Sequence, residues 1–185
     1  MTALQLWNRF ELPRREAHLC LRANRWGDRR AIARFFGAIS RLGDGVFWYG
    51  LMAASGLLGG ARGAQAALHM AITGLVALGL YRGLKRWTRR PRPFRRHAGI
   101  VAHVPPLDEF SFPSGHTLHA VSFSLVALAY YPVLAPILLP FTLLVAASRV
   151  VLGLHYPSDV LAATGIGIGL ASLSLWCVRG VSLFV

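Results

Sequence analysis

Long apolar runs separated by short polar stretches organise this chain of 185 residues. The first run reaches from about Val46 to Ala61 and the second from about Ala64 to Leu84, with only a Gly-Ala-Arg-Gly turn at their junction. A third begins just after His116 and stops at Pro132, a fourth continues to about Ala147, and a fifth covers about Val160 to Val178. Crossing a hydrocarbon core of about 30 Å takes about 20 helical residues. The first, third and fourth runs fall short of that, and extension by the flanking polar segments, tilt or a thinner bilayer makes up the difference. The pattern predicts an all-α, polytopic transmembrane helical bundle of about five spans over residues 46–185.

Residues 1–45 read differently. Trp7, Phe10, Leu12, Leu19, Leu21, Trp26, Ile32, Phe35, Phe36 and Ile39 are interleaved with nine arginines, and no stretch is apolar enough to cross. One or two amphipathic helices lying in the membrane interface fit this pattern, arginines toward headgroups and aromatics toward acyl chains. Glu11, Arg14 and Arg15 interrupt anything resembling the hydrophobic core of a signal peptide. Gly43-Asp44-Gly45 is expected to break the helix before the first span. Within the spans, Gly56 and Gly60, Gly79 and Gly83, and Gly165, Gly167 and Gly169 suggest close helix packing, and Pro136 and Pro140 are expected to bend the fourth span.

The polar interruptions carry the chemistry. They are Lys85 to Pro93, Pro113 to His116, and Ser148 to Asp159, each at an end of an apolar run. Lys85 closes the second run and His116 opens the third, so both lie on one membrane face. Two further crossings return Ser148 and Arg149 to that face, with His155 and Asp159 before the last run. Pro113-Ser114-Gly115-His116 opens a helix: Ser114 is a natural N-cap, and Gly115 lets a backbone amide approach an anion. His116 is placed to give a proton to a leaving oxygen. A plain helix cap beside a surface histidine explains that stretch alone equally well. Arg149 can fork two hydrogen bonds onto a phosphate. His155 and Asp159 share a face if their segment is helical, so that the carboxylate would fix the imidazole tautomer and free its other nitrogen to attack. Arg86, Arg89, Arg90, Arg95 and Arg96 read as a solvated or headgroup-facing charge run, and Asp108 and Glu109 first as a solvated loop and second as residues that gate or select the headgroup. His69 reads as a core histidine, and His119, one turn after His116, first as packing and second as a residue lining the site.

Composition narrows the partners. Twenty Lys+Arg against seven Asp+Glu give a formal charge of +13, while apolar residues make up 55% of the chain. An excess of this sign suits nucleic acid, anionic lipid or an anionic substrate; no nucleic-acid motif is visible, and the apolar runs favour lipid. Seven unclustered acidic residues are poor material for a two-metal phosphatase. Cys20 and Cys177 have no metal or redox spacing.

Taken together, Lys85 with six residues before Arg92-Pro93, Pro113-Ser114-Gly115-His116, and Ser148-Arg149 with five residues before His155 and three more before Asp159 resemble the type 2 phosphatidic acid phosphatase family at every element and spacing. Larger bacterial members commonly carry six spans, one more than is read here. The resemblance implies an integral-membrane, metal-independent phosphomonoesterase or diphosphatase. His155 would be the nucleophile that becomes a phosphohistidine, supported by Asp159. His116 would be the acid and then the base, and Lys85, Arg92, Ser114, Gly115 and Arg149 would hold the phosphoryl oxygens, with no cofactor. Expected partners are membrane lipids and a lipid phosphate: a polyprenyl phosphate or diphosphate first, then phosphatidic acid or phosphatidylglycerophosphate. A homodimer stays open. A phosphotransferase sharing the same site and a non-enzymatic lipid-binding protein are the competing classes. The resemblance implies the bacterial inner membrane, with the site on the periplasmic face by family habit. The charge count favours the cytoplasmic face, because only Arg62 and Arg179 fall away from the motif side of a five-span chain.

Overall fold

The computed structural model describes residues 12–182. The part of the N-terminal segment before residue 12, with Trp7, Phe10 and Glu11, lies outside them. Seven helices carry the fold: α1 (Leu12–Gly27), α2 (Arg30–Arg41), α3 (Phe47–Leu58), α4 (Gly60–Thr88), α5 (Gly115–Tyr130), α6 (Ala135–Val151) and α7 (Pro157–Ser182). No strand forms among the described residues; a single antiparallel bridge joins Pro91 to Phe110.

The five apolar runs become α3 to α7. Three segments are long and apolar enough to cross a membrane: Gly60–Thr88, Pro132–Val151 and Pro157–Val178. With 12 and 16 residues, α3 and α5 are shorter than that. The central helix is α5, packed by α4, α6 and α7, and most of its length is buried. Trp48 of α3, Met70 of α4, Phe123 and Val126 of α5, Leu138 and Val145 of α6 and Ala171 of α7 close the main core. Polar groups on α5 are satisfied internally, Ser122 Oγ donating to Leu118 O (2.8 Å) and Ser124 Oγ meeting Thr142 Oγ1 at 2.6 Å. Leu57, Leu68, Leu75, Leu143, Leu161 and Trp176 are exposed around the outside, as a lipid-facing surface requires.

Several expectations need correction. Pro140 lies within α6, but Pro136 occupies its first turn, where a proline has no helical N–H to lose. The helix-packing role expected of the glycines holds at Gly167, where a Cβ would meet Val121 at 3.0 Å; Gly79, Gly83, Gly165 and Gly169 face open space. Gly60 is a turn residue with φ +58° rather than a packing surface. Gly63, the last residue of the Gly-Ala-Arg-Gly turn, is the close contact of the α3–α4 hairpin: a Cβ there would fall 1.9 Å from Ser55 O. At Gly43-Asp44-Gly45 the helix is interrupted as expected, by a π turn in which Gly45 has φ +132°.

The N-terminal helices do not simply lie polar side out. The face that α1 buries is Glu16, Cys20 and Asn24, while Leu19 and Trp26 are exposed. The reason is hydrogen bonding. Asn24 Nδ2 donates to Val101 O (2.9 Å) and Val151 O (3.0 Å), and its Oδ1 accepts from Val101 N (2.8 Å). This stitches α1 to the loop before α5 and to the end of α6.

Candidate active site

Each motif sits where a helix begins or ends. Lys85 is in the last turn of α4, which closes on Arg89 in a left-handed conformation (φ 47°). Beyond it Ser111 N donates to Arg90 O (2.9 Å), pulling the loop before α5 alongside Arg90 to Arg92. Ser114 caps α5 as expected: its Oγ accepts from Thr117 N (3.4 Å) and Thr117 Oγ1 (3.0 Å). At the end of α6, Leu154 N and His155 N both donate to Arg149 O (3.1 and 3.0 Å), folding a tight turn that presents His155. Gly153 makes that turn possible. Its φ is +74°, and a Cβ would fall 2.4 Å from Val101 O.

These ends converge on one cavity of about 860 Å³, lined among others by Lys85, Arg92, Gly115, His116, Arg149 and His155. Lys85, Arg92, Arg149 and His155 are buried. Arg92 reaches Leu154 O with Nη1 (2.9 Å) and stands 3.3 Å from His155 Nε2. An arginine N–H can only donate. His155 Nε2 therefore accepts, and the proton of the neutral ring is on Nδ1, the side facing Asp159. Burial first, then the charges of Arg149, Arg92 and Lys85, hold the His155 pKa well below its ordinary value, so the ring is neutral at pH 7. Nδ1 is 3.6 Å from Asp159 Oδ2. The two residues are not on one helical face, as the spacing had suggested. His155 precedes α7, and Asp159 sits in its first turn, reaching back to accept from Tyr156 N (2.8 Å) as the carboxylate of a capping box does. Of the motif residues, Ser114 and Asp159 stand behind the cavity wall rather than in it. His119 does line the cavity, with Nδ1 at 3.0 Å from Gly115 O and Nε2 at 3.2 Å from Gly74 O.

A family model described as the PAP2 superfamily matches residues 62–182. The chain belongs to the PAP2 superfamily. Residues of this PAP2 chain are 32% identical over 112 positions to the undecaprenyl-diphosphatase BcrC of Bacillus subtilis, covering 60% of the chain and 58% of that protein. They are 36% identical over 87 positions to phosphatidylglycerophosphatase B of Escherichia coli, covering 44% and 34%. The matched stretch thus spans between about a third and three-fifths of these relatives' length. The fold superposes on a crystal structure of a transmembrane PAP2 type phosphatidylglycerolphosphate phosphatase from Bacillus subtilis with a TM-score of 0.79, covering 96% of this chain and 91% of that one at 24% identity. Against Aquifex aeolicus LpxE the TM-score is 0.71, with 85% and 93% covered at 24% identity. PAP2 membership and this fold make the chain a multi-pass protein of the bacterial inner membrane.

Four residues that the motifs do not single out complete this PAP2 site. Arg90, read from sequence as part of a solvated run, is instead nearly buried. Its Nη1 donates to Asp159 Oδ1 (2.6 Å) and Ser158 Oγ (2.7 Å), its Nη2 to Glu16 Oε2 (2.7 Å), and its guanidinium lies 4.1 Å from the Tyr156 ring centroid. Arg86, Arg89, Arg95 and Arg96 are exposed, as that reading has it. Asp108, read as loop, is drawn into the cavity: Lys85 Nζ donates to both its carboxylate oxygens (2.8 and 2.9 Å) and Arg92 Nη2 to one (2.8 Å). Burial acts to raise the Asp108 pKa, but the hydrogen bonds and charges of Lys85 and Arg92 outweigh it, and the net shift is downward. Asp44 Oδ1 is 3.4 Å from His116 Nε2. Arg149 Nη1 donates to Ser40 Oγ of α2. The sequence signal for Asp108 is its place in the loop before the second motif, as one of seven acidic residues in the chain; Asp44, 41 positions before Lys85, has none beyond that scarcity. Among the described residues, no three His, Cys, Asp or Glu side chains group to hold a metal ion.

Proposed function

We propose that this chain is a metal-independent lipid phosphatase that acts through a phosphohistidine, with a polyprenyl phosphate or diphosphate as substrate. One observation carries the reading: the two motif imidazoles, His116 and His155, line a single cavity with three buried cations and the N-terminus of α5. His155 Nε2, whose lone pair faces Arg92, attacks phosphorus. The bond to the leaving oxygen breaks as His116 gives that oxygen a proton. His116 then takes a proton from water, whose oxygen attacks the phosphohistidine; inorganic phosphate leaves and His155 is regenerated. Asp159 holds the proton-bearing Nδ1 side. Lys85, Arg92 and Arg149 supply the positive charge that a metal would otherwise bring, Gly115 offers a backbone amide, and Ser114 acts by capping α5 so that its first-turn amides point at the phosphate.

The polyprenyl preference is supported by the likeness to the Bacillus subtilis protein named an undecaprenyl-diphosphatase, and phosphatidylglycerophosphate by the Escherichia coli relative. Residues 46–185 carry the spans of the phosphatase, and the interfacial segment of residues 1–45 before them also contributes Glu16, Ser40 and Asp44 to its site. The chain crosses five times, α3 and α5 included, since only an even number of crossings separates positions that share one cavity, Asp44 before α3 and Lys85 after α4 as well as His116 before α5 and Arg149 near the end of α6. The cation excess favours the cytoplasmic face for that cavity, against the periplasmic face that family habit suggests.

Purified full-length protein in detergent, given a panel of lipid phosphates, tests the activity. Phosphate release that survives EDTA and vanishes in His155→Ala is expected. Loss in EDTA with recovery in Mg²⁺ counts against the reading, and transfer of phosphate to an added lipid or sugar acceptor makes the enzyme a transferase. For sidedness, His97→Cys is placed in a Cys177→Ser background, because Cys177 is exposed. Labelling of intact cells by an impermeant thiol reagent would exclude the cytoplasmic face.

A further inference from the structure

Asp159 is fully buried, and its carboxylate has one cationic partner within hydrogen-bond distance, Arg90 at 2.6 Å. A buried carboxylate without a cation protonates or swings toward water. Arg90 is itself fixed on three sides. Glu16 of α1 takes its second nitrogen at 2.7 Å, the Tyr156 ring lies beneath its plane at 4.1 Å, and Ser158 Oγ shares Nη1. The other Glu16 oxygen accepts from Ser158 N (3.0 Å), so that α1 clamps the first turn of α7 directly. Cys20 Sγ, one turn along α1, stands 3.9 Å from His155 O.

We infer that Arg90 and Glu16 form a positioning pair for the nucleophile: Glu16 orients the guanidinium, and the guanidinium opposes the protonation that burial favours at Asp159 and aims its carboxylate at His155 Nδ1. This rests on the assignment of His155 as nucleophile. Neither residue touches the cavity. Removing Arg90 leaves the phosphate cradle of Lys85, Arg92 and Arg149 in place while His155 loses its support. In Arg90→Gln the expected result is a fall in kcat of about tenfold or more with KM little changed; Arg90→Lys, which keeps a charge but cannot span both carboxylates, falls between, and Glu16→Gln loses less. Should Arg90→Gln fail to fold, Arg90→Lys carries the test. A second readout needs no substrate: the rate at which diethyl pyrocarbonate modifies His155, followed by mass spectrometry, drops in Arg90→Gln to the level of Asp159→Asn. A KM effect without a kcat effect, or unchanged His155 reactivity, overturns the inference. If the wild type releases no phosphate from any lipid while Arg90→Gln still slows modification, the functional reading falls and the positioning role stands.

A separate observation concerns Asp108. Its two carboxylate oxygens sit on Lys85 and Arg92, and its backbone oxygen accepts from Arg92 Nε (3.0 Å). The cations are 7% and 1% exposed, whereas Asp108 is 40% exposed, so it covers them from the cavity mouth. The geometry points to a carboxylate that takes the positions on Lys85 and Arg92 that a phosphoryl group needs and must leave before substrate seats. A self-occupied site binds ligand more weakly by the fraction of time it is free, so that a contact closed nine-tenths of the time costs about tenfold in Kd. Calorimetry with inorganic phosphate on the full chain should show several-fold tighter binding in Asp108→Asn and Asp108→Ala alike. In the wild type, phosphate should raise amide hydrogen exchange over residues 105–110. Weaker or unchanged phosphate binding in both variants, or protection of that segment, shows instead that Asp108 braces the cradle.

Discussion

At the scale of single residues the site is governed by charges buried against one another. His155 is the clearest case. Kept neutral by burial and three nearby cations, it refuses a proton that the unfolded chain accepts below about pH 6.5. The unfolded state then binds more protons, so stability falls as pH drops below that value. Asp108 adds a second decline at lower pH. Its folded pKa is depressed, so the ion pairs with Lys85 and Arg92 are intact above the ordinary carboxylate range and are lost as pH falls through the lowered value. Thermal unfolding in detergent should therefore show a midpoint that drops between pH 8 and pH 5, with a shallower slope in His155→Gln. The motif residues were legible because their types and spacings are unusual: a proline-serine-glycine-histidine run and a buried-looking Ser-Arg are hard to place in a lipid-facing helix for any other reason. Arg90 was not. Among the five arginines of that stretch outside the motif spacing, Arg86, Arg89, Arg90, Arg95 and Arg96, nothing in composition distinguishes the one that turns inward, since that choice depends on acceptors contributed by residues 16, 158 and 159.

Among elements, the turn from α6 to α7 decides the most. Four residues after Val151 reverse the chain and deliver His155, and the reversal passes through Gly153 at φ +74°. An alanine there adds backbone strain of about 1–3 kcal/mol and drives a methyl into Val101 O and Asn24 Nδ2, at 2.4 and 2.8 Å. Gly153→Ala should lower the unfolding midpoint and abolish phosphate release while leaving every motif residue in place. The N-cap of α5 is a milder case: Ser114→Ala removes a cap worth about 1 kcal/mol, and phosphate release should fall together with phosphate affinity as the first turn loosens. Element type was visible in the sequence wherever an apolar run was bounded by proline or glycine. The exact partner of each glycine was not, since a helix with several glycines on different faces does not declare which one meets a neighbour. Gly63 meets Ser55, and Gly79 and Gly83 meet nothing.

For the molecule as a whole, α1 is as much a part of the site as the bundle is. It brings Glu16 to Arg90 across 74 residues and Asn24 to Val151 across 127. A chain that starts at Arg30 retains all eight motif residues, yet it should lose most of its phosphate release and unfold at a lower temperature. Retained full activity in that truncated protein would show that the α1 contacts are incidental. By itself, the amino-acid sequence determined the helical membrane class, the approximate extent of the apolar runs and the candidate site residues, because each follows from local hydrophobic length or from residue types at short spacing. Only the tertiary structure decided which face of α1 turns inward, which arginine pairs with Asp159, and that Asp108 closes on Lys85 and Arg92. Those outcomes depend on the competition of distant groups for the same buried charge, and no periodicity along a single chain encodes it.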